Sequence, residues 1–358
     1  MNIGSQFEQV WIDKSALTYP VTQFIRDRLK GVHFDVVDDI HSLKYPKDPR
    51  AAKKQLILTV HKGLSFKACQ GMCEDVVCCG YHTIDLTSGC PCDCTYCILQ
   101  HYLSNNPLTT IYVNIEEILG IVKKHLSEAP SKHLRIGTGE LSDSLAYDHI
   151  TEYSKIIVNF FSTIDNATFE FKTKTTNIKN LLGLKHNGKT VVSWSVNPQR
   201  IIDSEEFNTA NLDERLKSAR KCVDSGYRVG FHFDPMINYP GWENDYRYVV
   251  DLIFKHIPPS FIAWISLGTL RFPHILRQIA ERRFPRTKIF CWEFIPANDK
   301  MRYFRPIREE MYAKMRSWIN ERSNLVSPYL CMETSTVNEN FKKHTQMLNG
   351  IVQSGRSF

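Results

Sequence analysis

The sequence predicts an α/β fold, an open and partial (β/α) barrel, on three observations. From residue 134 onward, apolar strand-like runs recur roughly every 20–40 residues with helical stretches between them, the pattern of βαβ units and a parallel sheet. A cysteine-rich loop follows an earlier strand-like run, His82-Thr-Ile-Asp-Leu86, so the series opens there. Glycines and polar residues then close successive strands, which is where a barrel gathers its reactive groups.

Taken in order, residues 9–60 read as a small α/β unit. Strands are expected at Gln9–Asp13, His33–Val37 and Gln55–Val60, with a helix over Val21–Leu29 whose Val21, Phe24, Ile25 and Leu29 share one face. Tyr45–Arg50, with its two prolines, is a loop. Barrel strands follow at Leu134–Thr138, Thr168–Thr173, Thr190–Asn197, Tyr227–Phe233 and Phe261–Ser266, with helices such as Ile115–Ser127 and Asp213–Ser225 between them. With Asp85–Cys97 as the first strand and loop, about six units result. A further strand is expected at Lys288–Phe294, then a helix over Pro306–Asn320 with Pro in its first turn and an apolar stripe. Without repeat or linker, the chain reads as one domain: an N-terminal α/β extension (1–80), the barrel (81–290) and a basic, helical C-terminal segment packed on it (291–358).

Composition narrows the class. Hydrophobic content of 42% and charged content of 23% are those of an ordinary globular chain. No apolar run approaches the roughly 18 residues that span a bilayer. The start, Met1–Glu8, lacks the charged-then-apolar order of a secretory signal, so a cytoplasmic protein without membrane attachment is expected. Eleven cysteines in that setting point to metal or redox ligands rather than disulfides. The net charge of +7 is uneven: residues 271–358 hold 16 Lys+Arg against 8 Asp+Glu. Such a segment suits an anionic partner such as nucleic acid, although solvated helix faces give the same count.

The chemistry is concentrated in Ser88–Gln100. Cys90, Cys94 and Cys97 stand in the spacing C-x3-C-x2-C, with Cys92 between them. A structural zinc site takes four ligands, whereas a four-iron cube held by three thiolates leaves one iron open to bind a second molecule. A second group, Cys69, Cys73, Cys78 and Cys79, is a candidate for another metal site, a redox thiol or plain packing. Gly137-Thr138-Gly139-Glu140 ends the second barrel strand, where glycine lets a backbone approach a ligand, and Ser142 follows. Lys174, Ser195, Asn197 and Asp234 end the next three strands. Arg302-Tyr-Phe-Arg305 interleaves cations with aromatics, as strand-binding surfaces do and as a packed basic loop also does.

These residues resemble the radical S-adenosylmethionine (SAM) superfamily, and within it the spore photoproduct lyase family. The likeness rests on the cysteine loop with Leu99-Gln100, on Leu141–Thr151, on His186–Thr190 with Trp194–Asn197, on Gly241–Tyr246, and on Arg271-Phe272 with Glu281–Pro285, over roughly residues 8–290. The resemblance implies a partial (β/α)6 barrel and one [4Fe-4S] cluster on Cys90, Cys94 and Cys97. It implies SAM held by Gly137–Glu140, Ser142, Lys174 and Ser195, with Asn197 and Asp234 as further contacts. It also implies reductive cleavage of SAM to a 5′-deoxyadenosyl radical, fed by a reduced flavodoxin- or ferredoxin-type donor, and hydrogen abstraction from a thymine–thymine photoproduct in DNA.

The chain departs from that family in two places. Where the well-known lyases carry the cysteine that returns a hydrogen atom to the product, this sequence has Glu140. Ile98 replaces the tyrosine after the third cluster cysteine, while Tyr96 before it is kept. Cys78-Cys79 and Met301–Pro306 resemble a separate, lyase-like branch. Tyr96 and Glu140 are therefore the catalytic candidates, and Cys291, Cys331 and Cys69–Cys79 the alternative thiols. Two readings compete: the same fold acting on a sugar or peptide C–H bond, and a non-catalytic metal-binding module.

Overall fold

The computed structural model describes residues 7–46, 48–69, 76–77, 79–297 and 299–342. At its centre is a curled eight-stranded sheet. Six parallel strands form the expected series: β1 (Tyr81–Ile84), β2 (Leu134–Gly137), β3 (Ala167–Thr173), β4 (Thr190–Ser195), β5 (Arg228–Met236) and β6 (Ile262–Thr269). Phe66–Ala68 pairs antiparallel with β1, and Pro328–Leu330 adds a seventh parallel strand beside β6. All C-terminal strand ends therefore open on one mouth. The run Phe169, Phe171, Val192, Trp194, Phe231 and Phe233 is almost wholly buried, as a sheet covered on both faces requires.

The crossovers that cover this sheet are Ile115–Glu128, Tyr153–Phe161, Leu212–Asp224 and Trp242–His256, followed by His274–Arg283. Each lays a 3.6-period apolar stripe on the strands; in Ile115–Glu128 it is Ile115, Ile118, Leu119, Val122 and Leu126. The connection from β3 to β4 is a run of turns rather than a helix. Helix Arg305–Arg322 packs on the helix of residues 242–256, with Trp318 and Trp242 ring centroids 5.9 Å apart.

The N-terminal strands make a second sheet in the order His33–Val37, Gln9–Asp13, Gln55–Thr59, Thr109–Tyr112 and Thr87–Ser88. Its last two strands come from either side of the cysteine loop, so this sheet anchors that loop. Thr109–Tyr112 is absent from the expected set, although a β-branched run after Pro107 signals it.

One expected strand is corrected. Lys288–Phe294 is mostly turn, and strand pairing begins only at Phe294–Ala297, in a small antiparallel sheet with Lys300–Tyr303 and Arg271–Phe272. Ile289 and Phe290 are buried by packing instead, Phe290 lying edge-on to Phe272 with centroids 4.8 Å apart, while Trp292 is exposed. Among the described residues no helix is long and apolar enough to cross a membrane.

Candidate active site

The cysteine loop is held from four directions. Asp93-Cys94 pairs antiparallel with Glu206-Phe207. Lys53 Nζ donates to the Cys92 carbonyl at 2.7 Å and to Asp93 at 2.9 Å. Arg283 donates to Asp93 at 2.9 Å and to Gln100 at 2.6 Å, while Gln100 donates to the Thr95 carbonyl at 2.8 Å. Burial would raise the Asp93 carboxyl, but Lys53 and Arg283 bring it below its usual value, so it stays an anion between two cations. The Gly89 amide donates to the Leu141 carbonyl at 3.0 Å, fastening the loop to the turn after β2.

Within the loop, Cys94 and Cys92 are buried while Cys90 and Cys97 are partly open. A hydrogen bond from Cys92 draws the Cys90 thiol down, and burial pushes Cys94 and Cys97 up. Among the described residues no three His, Cys, Asp or Glu side chains are gathered as a single metal ion requires. A cube carries each thiolate on its own iron and has no such requirement. Of the second cysteine group, Cys69 is half-buried and Cys79 exposed, while Cys73 and Cys78 lie outside the described residues.

The β2 turn faces this loop. A Cβ on Gly137 would collide with the Tyr81 hydroxyl and lie 2.5 Å from the Glu170 carbonyl, so only glycine fits. Gly139 sits against Lys172, 3.2 Å from its Cε to where a Cβ would be. The hydroxyls of Thr138 and Ser142, 7% and 5% exposed, are buried without a hydrogen-bond partner among the described residues. That is costly unless a ligand satisfies them. Glu140 is tied back to β1: it accepts from Thr83 at 2.8 Å and has Lys67 Nζ 3.6 Å away.

Strand ends β3 and β4 meet in a buried polar cluster. Glu206 pairs with Arg215 at 2.7 Å, both fully buried, and accepts from the Tyr96 hydroxyl and from Asn197 at 2.9 Å. Burial would raise its carboxyl, but Arg215 and Lys174 hold it down at about 2. Burial likewise works against the Lys174 ammonium, yet Glu206 and Cys94 outweigh it and keep it protonated. Lys174 lies 5.8 Å from the Tyr96 ring. Asn197, expected to touch SAM, is used at both ends inside the protein, since its Oδ1 accepts from Tyr246 at 2.8 Å. The Ser195 carbonyl accepts from Arg215 at 2.8 Å.

Two further groups complete the interior. Asp234 takes both guanidinium nitrogens of Arg271 at 2.8 and 3.0 Å. Below the mouth, Glu170 accepts from Ser193, from His232 at 2.7 Å, from Trp264 at 2.9 Å and from Arg135 at 2.7 Å. Of the basic-aromatic stretch, Arg302 and Tyr303 are core residues; Phe304, 54% exposed, and Arg305 reach solvent. Sequence reasoning missed Glu206, Arg215 and Glu170: the Glu170 partners and Tyr96 lie far along the chain, and the nine-position step from Glu206 to Arg215 carries no pattern that signals an ion pair.

Residues 6–315 match the family described as "SPL: Spore photoproduct lyase". The chain belongs to the spore photoproduct lyase family. It is 29% identical over 290 residues to the spore photoproduct lyase of Bacillus subtilis (strain 168), covering 78% of this chain and 83% of that one. It is 28% identical over the same length to that of Geobacillus sp. (strain Y412MC61), with the same coverage. Among solved structures, a spore photoproduct lyase mutant with bound AdoMet and dinucleoside spore photoproduct superposes with a TM-score of 0.81 at 25% identity. That match covers 90% of this chain and 98% of the other. Membership makes this a radical SAM enzyme with a [4Fe-4S] cluster and SAM as cofactors, and it sets aside the non-catalytic metal module. The unpartnered Thr138 and Ser142 hydroxyls beside a three-thiol loop fit those cofactors.

Proposed function

We propose that the chain is a lyase that opens a thymine–thymine photolesion of the spore photoproduct type in DNA. The observation that carries the reading is the pair of buried, unpartnered hydroxyls, Thr138 and Ser142, beside the three-cysteine loop at the barrel mouth. Cys90, Cys94 and Cys97 would hold the cluster. Gly137–Glu140, Ser142, Lys174 and Ser195 would hold SAM, and Asp234 lies on the far wall. When bound, the cluster supplies the electron that cleaves SAM and so the radical that takes hydrogen from the substrate.

The protein's own part is to bind, orient and exclude water. Lys174, kept protonated by Glu206, offers a fixed positive charge to a carboxylate. Tyr96 is anchored by Glu206 and forms a wall rather than an acid, because burial drives its hydroxyl far above its usual pKa. Glu140 cannot return a hydrogen atom, since a carboxyl O–H bond is much stronger than a thiol S–H.

A reduced flavodoxin- or ferredoxin-type donor, an acidic protein, would approach beside the loop. There a cleft of about 480 Å³ is lined by Arg50, Asp93, Phe207, Arg283 and Arg286. DNA would meet the basic C-terminal segment near Phe304 and Arg305.

Anaerobic reconstitution tests the reading. About four irons per chain, 5′-deoxyadenosine from SAM and loss of the lesion from irradiated DNA are expected. Formation of 5′-deoxyadenosine with the lesion untouched would move the substrate to another C–H bond.

A further inference from the structure

With Glu140 in place of a thiol at the turn after β2, another group has to supply the hydrogen atom that ends the reaction. Cys331 follows the seventh strand, Pro328–Leu330, and its amide donates to the Leu267 carbonyl of β6 at 2.8 Å. Being next after a parallel strand, it stands at the C-terminal end with Asp234 and Arg271. Arg271 Nη2 reaches its sulfur at 3.9 Å while holding Asp234. This arrangement is packed tightly: a Cβ on Gly268 would lie 2.7 Å from Asp234 Oδ1 and 2.8 Å from Arg271 Nη1. Lys172 bridges the mouth, with its stem against Gly139 and its charge acting on both Asp234 and Cys331. Cys331 therefore stands at a strand end with Asp234 and Arg271, and Lys172 links that group to the turn that carries Gly139 and Glu140.

Cys331 as a residue is half-buried. Burial, with Asp234 nearby, pushes its pKa well up, so it keeps its hydrogen at neutral pH. A second thiol belongs to the same neighbourhood: Val77 pairs with Glu333 in an antiparallel ladder, and Cys79, two residues on from Val77, acts electrostatically on Cys331.

Resting on the lyase reading above, we propose that Cys331 is the hydrogen-atom donor that ends the reaction. Its S–H bond breaks homolytically and the hydrogen forms a new C–H bond on the carbon-centred product radical. The thiyl radical left on sulfur takes one electron from the low-potential flavodoxin- or ferredoxin-type donor and one proton from water, which restores the thiol. A thiol suits this step because its bond to hydrogen is weaker than the C–H bond being made.

The test uses the reconstituted full chain with dinucleoside spore photoproduct in D2O, without added thiol. A carbon radical does not take deuterium from water, whose O–D bond is too strong, so label in the released thymine reports an exchangeable thiol. The unaltered protein should place one deuterium per lesion opened. Cys331→Ser should still form 5′-deoxyadenosine and consume the lesion, with deuterated thymine reduced at least tenfold. Full labelling by Cys331→Ser, or loss of label in Cys79→Ser instead, would overturn the assignment. If the unaltered protein leaves the lesion intact, the lyase reading falls and this assignment with it. A cluster-free measurement stands beside these: saturating dinucleoside should slow iodoacetamide alkylation of Cys331 at least fivefold relative to Cys291. Equal rates would count against Cys331 as a residue of the substrate chamber.

Discussion

Two sets of buried polar groups in the barrel interior, a lower layer around Glu170 and an upper layer at the mouth, are satisfied to different degrees, although Arg135 Nε in the lower layer also lacks a partner among the described residues. In the lower layer every atom of the Glu170 carboxylate is used, by Ser193, His232, Trp264 and Arg135. Arg135 in turn donates to Tyr329 at 2.6 Å and stacks 3.7 Å from the Trp264 ring centre. His232 completes the set through Ser266 at 2.7 Å. In the upper layer, at the mouth, the Thr138 and Ser142 hydroxyls have no partner among the described residues. Polarity at a strand end is thus a poor guide to function by itself. Satisfaction is the better one, because a buried group that the fold leaves unpaired costs free energy until a ligand pairs it.

Breaking the upper layer should abolish chemistry and spare the fold. Cys94→Ala is expected to lose iron and all SAM cleavage while circular dichroism is unchanged; cleavage at the normal rate would refute its role as a ligand. Breaking the lower layer should do the reverse. Glu170→Ala leaves the Arg135 charge buried and uncompensated, at a cost of roughly 3–5 kcal/mol in urea unfolding, with 5′-deoxyadenosine per folded molecule near normal.

The Glu206–Arg215 pair sharpens the comparison through pH. Glu206 is held at about 2 in the folded chain against 4.5 for the free side chain. Its folded value is depressed, so its stabilisation is full above about 4.5 and drains as pH falls toward 2. Over that window it is worth roughly 3 kcal/mol. Acid unfolding of Glu206→Gln should lack that part of the slope. The smallest effect belongs to Ser142→Ala. It removes no bond within the protein, so stability should hold, while SAM affinity falls by about five- to tenfold, the worth of roughly 1 kcal/mol in titration.

Much of this was legible residue by residue. The C-x3-C-x2-C spacing lies within eight positions, so the chain's own geometry brings those thiols into one loop, and apolar runs with turn residues between them located the parallel strands. Lys288–Phe294 misled because an aromatic run reads alike whether it is buried by pairing or by packing. Asn197 misled because its spacing from Ser195 says nothing of Tyr246 or Glu206, which occupy its side chain.

The sequence by itself determined the cofactor chemistry and the barrel class, both local patterns in a chain read in order. Only the tertiary structure decided which buried polar groups are spent on the fold and which stay open. It alone set Cys331 beside Arg271 and Asp234, 60 positions from the first of them in the chain. The reason is physical: hydrogen-bond satisfaction depends on partners from other strands, and no single strand carries that information.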